Sequence, residues 1–285
     1  MATLSYRQWV AISASILLLV SLFFINQKPP LTQDMQKPSS GGHATNLADF
    51  GRLVDEAKNQ VPADKQKTIG RLDNSLSGKS PDEQAIVLRS IINLYDSAGA
   101  QIPATVYMEK LAGIKNSADL WYLSGDRYYN ASQLTEDPQV RGTLLQKASD
   151  CFNSSFKIDS TNLDTRVGMA QCIVEGGGAP MQGIQILEGV LKKDSNNKKA
   201  QIALGEFSIQ SGQYPKAIYR FNRVLQIDPK YSEAYLYLED TYEKMGNKQE
   251  AIRCLEKYST FVADKKLKDQ VNGYILKLKN DTINK

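Results

Sequence analysis

From residue 46 onward the apolar residues recur at intervals of three and four positions, the spacing of one face of a helix. No stretch sustains a two-residue apolar/polar alternation, and no Val/Ile-rich run reads as a strand, so the pattern predicts an all-α body. Two N-terminal segments depart from it. Residues 9–25 read WVAISASILLLVSLFFI, 17 uncharged positions that as a helix would span about 25 Å, the lower limit for crossing a bilayer. Residues 26–46 carry Pro29, Pro30, Pro38, Ser39, Ser40, Gly41 and Gly42 with hardly an apolar side chain, too little to offset the entropy of ordering. The expectation is a flank over residues 1–8, a single transmembrane helix over 9–25 and a flexible linker over 26–46. A cleaved signal peptide is the rival. Against it, the run is long for a signal core and exits into Asn26, Gln27, Lys28, Pro29 and Pro30 without a small-residue cleavage pattern. Arg7 on one side and Lys28 and Lys37 on the other nearly balance the flanking charge. The expected arrangement is an inner-membrane protein with its body outside the cytoplasm, and the opposite orientation stays open.

The body repeats itself. Leu204, Gly205, Gly212, Ala217 and Phe221 are matched 34 positions later by Leu238, Glu239, Gly246, Ala251 and Leu255, and 34 positions earlier by Ala170, Gln171, Gly178, Gly183 and Leu187. Upstream, Trp121, Gly125 and Tyr128 open a similar unit that resumes at Ala148 and Phe152, and Tyr95, Gly99 and Ala104 trace a degenerate one. A 34-residue period with a small residue at a helix crossing, Gly at the turn and Ala and an aromatic on the second helix resembles the tetratricopeptide repeat (TPR). The segment LGEFSIQSGQYPKAIYRFNRVLQIDP, which ends at Pro229, carries the resemblance almost position for position.

The resemblance implies a right-handed TPR-type helical solenoid: a helical pair over residues 47–84, a degenerate repeat over 85–117, repeats over 118–163, 164–197, 198–231 and 232–264, and a capping helix with tail over 265–285. The repeat at 118–163 is longer than the family pattern by about 11 residues, placed near 134–144 around Pro138. Ser80, Pro81 and Glu83 predict a capping box with proline at the first helical position. Leu267, Val271, Tyr274, Ile275 and Leu278 predict one apolar stripe on the last helix. Gly183 stands where the family has Ala and Ser124 where an apolar residue is usual, so the repeat starting at Asp164 is expected to be the loosest.

Composition narrows the chemistry. The single histidine, His43, lies in the Ser/Gly/Pro-rich segment, which removes histidine triads, imidazole bases and His-rich metal sites. Cys151, Cys172 and Cys254 show no CxxC or metal-ligand spacing and read as buried thiols. A net charge of +4, spread along the chain, is no nucleic-acid footprint. Gly78-Lys79-Ser80 lacks the first glycine of a phosphate loop, Asp73 standing there, and Gly176-Gly177-Gly178 reads as a turn between helices. The sequons at Asn130, Asn153 and Asn280 are assigned no role. No catalytic residue, cofactor, metal or small-molecule substrate is expected, and the chain is read as a non-enzyme.

By the resemblance, first helices line a concave groove with their second, fifth, ninth and twelfth positions. Here these are Asp119, Tyr122, Asp126 and Tyr129; Thr165, Gly168, Cys172 and Glu175; Lys199, Ile202, Glu206 and Ile209; and Glu233, Leu236, Asp240 and Glu243. Seven acids (Asp119, Asp126, Glu175, Glu206, Glu233, Asp240 and Glu243) face one base, Lys199, in a chain that is basic overall. One reading is solvated helix faces. The other is a groove for a peptide carrying Lys or Arg, with Tyr122 and Tyr129 as rigid anchors. Gly168, Cys172, Ile202 and Glu206 replace the Lys/Asn pattern with which some TPR co-chaperones clamp a C-terminal carboxylate. The expected function is a membrane-anchored scaffold that binds proteins, similar to the tethered TPR proteins of bacterial envelopes that assist assembly, maturation or secretion; a cytoplasm-facing or organelle-surface receptor is the alternative.

Overall fold

The computed structural model describes residues 47–283. The expected membrane segment at residues 9–25 lies outside them, as does the linker. Among the described residues there are thirteen helices and no strand, and no helix is long and apolar enough to cross a membrane. The helices are α1 (Leu47–Asn59), α2 (Ala63–Asn74), α3 (Pro81–Ser97), α4 (Gln101–Lys115), α5 (Ala118–Gln133), α6 (Pro138–Ile158), α7 (Leu163–Glu175), α8 (Pro180–Lys193), α9 (Lys198–Gln210), α10 (Tyr214–Ile227), α11 (Glu233–Lys244), α12 (Lys248–Phe261) and α13 (Lys265–Ile283). The described residues divide into two compact units, residues 47–251 and residues 252–283, the break falling inside α12.

Local chemistry explains where these helices start and stop. Ser80 Oγ accepts the Glu83 amide at 3.4 Å while the Glu83 carboxylate accepts the Ser80 amide at 2.9 Å, so the capping box closes ahead of α3 with Pro81 in its first turn. Asn162 and Asn197 cap α7 and α9 by accepting the amides of Thr165 and Ala200. Between α9 and α10 the chain reverses at Gly212, whose φ of +70° a side chain would strain.

In the first unit α3–α4, α5–α6, α7–α8 and α9–α10 form successive antiparallel pairs, and the first helices α5, α7 and α9 touch one another in sequence. The crossings are set by phenylalanine against glycine. A Cβ built on Gly125 would lie 2.8 Å from the Phe152 ring, and one on Gly168 would lie 2.3 Å from its tip. Phe152, 2% exposed, therefore fills the space between α5, α6 and α7 because neither facing helix carries a side chain there. Phe221 repeats the arrangement one unit on: it lies 2.6 Å from where a Gly205 Cβ would be and stacks on Tyr237 with centroids 4.8 Å apart. Gly183 makes a close contact rather than a loose one, because a Cβ there would meet Val174 Cγ2 at 2.5 Å and the Ala170 carbonyl at 2.7 Å. The volume missing from the α8 glycine is supplied by Val174 on α7. Ser124, fully buried, donates to the Leu120 carbonyl at 2.9 Å and so sits without an orphaned hydroxyl.

The extra residues near Pro138 are helical. With Asp137 as its cap, α6 runs 21 residues against 14 for α8 and for α10. At the N-terminal end of the unit, α1 packs against α4 and α6. Phe50 meets the buried Tyr128 edge-on at 6.0 Å, and Lys147 lies 5.0 Å from the Phe50 ring. Beneath it, Glu109 accepts hydrogen bonds from Tyr128 at 3.1 Å and from Lys147 and the Cys151 thiol at 3.3 Å each. All three cysteines are buried.

In the second unit α13 runs antiparallel to the C-terminal part of α12. Ser259 Oγ donates to Asn272 at 2.9 Å and Lys279 pairs with Glu256 at 2.7 Å. Val271, Ile275 and Leu278 of the expected stripe are buried, and Leu267 and Tyr274 are half-buried.

The Phe221 ring has Tyr237 behind it and cannot retreat from an added side chain at Gly205. Gly205→Ala should therefore destabilise the fold by about 1–3 kcal/mol by overpacking. Denaturant titration checks this, and a loss under about 0.5 kcal/mol, the range of neutral surface changes, would show that the ring yields freely.

Candidate functional site

Side chains at the expected groove positions meet along the adjacent first helices of the first unit. Glu175, at the end of α7, is the centre of one group. It accepts from Tyr129 on α5 at 2.5 Å, from Gln133 at 2.7 Å and from Arg141 on α6 at 2.8 Å. The Glu175 side chain is 6% exposed, so this carboxylate is desolvated and compensated by three donors. Tyr129 is buried too, and burial, then the Glu175 charge, push its phenol far above the usual range. Arg141 lies on the added N-terminal length of α6, so the insertion supplies a cation to the expected acidic row.

Glu206 on α9 is arranged differently. Its carboxyl is largely enclosed, is hydrogen-bonded with Tyr237 on α11 and faces the charge of Glu175. Burial, then Glu175, raise it to about 7, opposed by the Tyr237 hydrogen bond. Half of these carboxyls are therefore neutral at neutral pH. The desolvated Tyr231, near Glu233 and Glu206, is pushed up to about 12.

A second group surrounds Tyr122. Lys199 on α9 hydrogen-bonds to the Tyr122 hydroxyl, lies 4.7 Å from the ring centroid and pairs with Asp164 at 2.8 Å. Burial works against the Lys199 charge, but its bonds to Asp164 and Tyr122 prevail and raise its pKa. Asp126 accepts from Asn130 at 3.2 Å, and burial raises its carboxyl above the ordinary range.

The remaining expected residues are Asp119, Glu233, Asp240 and Glu243. Asp119 is exposed at the start of α5. Glu233, half-buried, accepts from Ser232 at 3.5 Å. Asp240 pairs with Lys244 one turn away at 2.5 Å, and with Glu243 and Glu239 it crowds one face of α11. Glu239 occupies the position that is Gly125 and Gly205 in other repeats; burial, then Glu243 and Asp240, lift it to about 8.

The expected count of seven acids against one base thus changes. Arg141 joins the row, Asp164 occupies Lys199, and Glu206 is half-protonated. Arg141, Gln133, Asp164 and Tyr237 escaped the repeat register, which marks only four positions per first helix. The insertion was the one visible signal for Arg141. Among the described residues no cluster of His, Cys, Asp and Glu is arranged to hold a metal ion.

The paired helices and the crossing glycines define the class as a helical-repeat protein. Comparison narrows it. The family model for the tetratricopeptide repeat matches residues 208–267. A curated relative, Superkiller protein 3 of Schizosaccharomyces pombe, is 23% identical over 127 residues, 42% of this chain. The chain spans only 9% of that protein's length. Among solved structures, a tetratricopeptide repeat protein from Parabacteroides merdae shares the fold with a TM-score of 0.54 and 13% identity, covering 80% of this chain and 86% of that one. YrrB, a TPR protein with an unusual peptide-binding site, aligns with a TM-score of 0.39 and 19% identity over 71% of this chain and 97% of its own. Residues 208–267 thus match the tetratricopeptide repeat, and the body shares the fold of a tetratricopeptide repeat protein.

Glu206 yields a test of the electrostatics. Its folded-state carboxyl holds a proton to about pH 7, against an ordinary value of 4.5. Between these values the folded chain binds more protons than the unfolded one, so this group's contribution falls as pH rises and is lost above pH 7. Glu206→Gln should leave stability unchanged near pH 4 and raise it by about 2–3 kcal/mol at pH 8. Thermal unfolding across that range provides the measurement, and equal pH profiles for both proteins would refute the assignment.

Proposed function

We propose that this protein is a membrane-anchored, non-enzymatic TPR scaffold that binds a basic peptide segment of a partner protein along its first helices. The observation that carries this reading is the half-buried set of Tyr122, Asp126 and Glu206 on first helices, beside the buried Tyr129–Glu175 pair. Aromatic anchors beside acids suit a segment presenting Lys or Arg, with the aromatics governing residence and the outer charges governing encounter. The anchor rests on the uncharged run at residues 9–25 and on the Pro/Gly/Ser-rich segment after it, which would give the body a reach of about 25 Å from the bilayer. The body is placed outside the cytoplasm at an inner membrane, serving an envelope assembly, maturation or secretion complex.

The expected partner chemistry follows from Glu206. A cation entering the groove meets a neutral carboxyl below pH 7 and a carboxylate above it. With the partner recovered by crosslinking in native membranes, affinity should rise about tenfold from pH 6 to pH 8, and Glu206→Gln should abolish most of that rise. Reversing the outer charges Asp119 and Glu233 to Lys should slow association about three- to tenfold at low salt and flatten its salt dependence. Binding kinetics that ignore pH, salt and both reversals would remove the groove from consideration. For the anchor, the intact mass of the mature chain decides, since a chain beginning after Ile25 has lost it.

A further inference from the structure

The solvent face of α13 carries the charge opposite to that of the first-helix row. Lys265, Lys266, Lys268 and Lys277 are exposed, while Lys279 is held by Glu256. Among the described side chains of α13 only Asp269 opposes them. Leu276 stands 61% exposed among the lysines. At about 100° per residue, Lys265, Leu276, Asp269, Lys266 and Lys277 fall within an arc of about 120°, opposite the buried Val271, Ile275 and Leu278.

We propose that this face docks α13 against an anionic lipid surface. Lysine stems can lie along the interface with their ammonium groups at the phosphate level, while an isolated leucine enters the acyl boundary. The choice of lipid over protein rests on residue type. Protein interfaces are depleted in lysine and built around Trp, Tyr and Arg anchors, none of which lies on this arc. Attraction to a charged bilayer needs only positive charge within a Debye length of the surface. The inference is independent of the groove and of the fate of residues 9–25.

Full-length protein is mixed with vesicles of phosphatidylcholine alone or with phosphatidylglycerol added, and lysines are acetylated and read by mass spectrometry. Lys265, Lys266 and Lys277 should be protected on the anionic vesicles only, with protection lost at high salt. Lys192 and Lys216, on the other unit, should react equally on both. A variant with Gln at Lys265, Lys266 and Lys277 should lose about tenfold or more of its partition onto anionic vesicles and none of its partition onto neutral ones. These side chains are exposed, so its unfolding midpoint should match the parent's. Equal acetylation on both vesicle types overturns the proposal, as does an undiminished anionic preference in the variant. Protection by polyglutamate with none by vesicles assigns the face to an acidic protein and overturns it equally.

Discussion

The first unit depends on one steric arrangement: a phenylalanine on a second helix set into a gap that only glycine leaves on a first helix. Phe152 lies against Gly125 and Gly168, and Phe221 against Gly205 with Tyr237 behind it. Because close-packed interiors cannot absorb even one added methyl group cheaply, these contacts fix how near neighbouring helices come. That approach brings α5, α7 and α9 into mutual contact, and every interaction among Tyr129, Glu175 and Glu206 follows from it. Gly183 and Val174 show the same constraint met with the volumes exchanged between helices.

Burial then governs the electrostatics of the row. Asp119 stays exposed to water. Glu175 is desolvated, and Arg141, Gln133 and Tyr129 all donate to it. Glu206 is enclosed, hydrogen-bonded with Tyr237 and near Glu175, and burial above all lets it hold its proton to about pH 7. A row that looks uniformly acidic is in fact graded, with one group poised to change charge at neutral pH.

The two units carry opposite surface chemistry by different means. In the first, acids and tyrosines are gathered by repeat stacking. In the second, lysines fall on one face of a single helix because its other face is buried. The first suits a ligand recognised by shape and hydrogen bonding, the second a surface recognised by charge density alone.

Much of the fold was legible in the residues themselves. The helical periodicity, the 34-position repeat, the Ser80 capping box, the turn at Gly212 and the stripe on α13 are all dictated by local sterics and by which residues must leave water. The tertiary structure decided the rest. Arg141, Gln133 and Tyr129 reach Glu175 across separations of 34, 42 and 46 residues. The insertion could be seen as added length, but not as a helix extension that delivers an arginine to a buried acid. The packing of α1 against α4 and α6 likewise has no local signature, since an amphipathic helix specifies only that one face be covered. The same limit holds for Glu206. Its identity and register were apparent from sequence, but its protonation depends on enclosure by neighbouring helices, and desolvation is a property of the assembled environment rather than of any residue type.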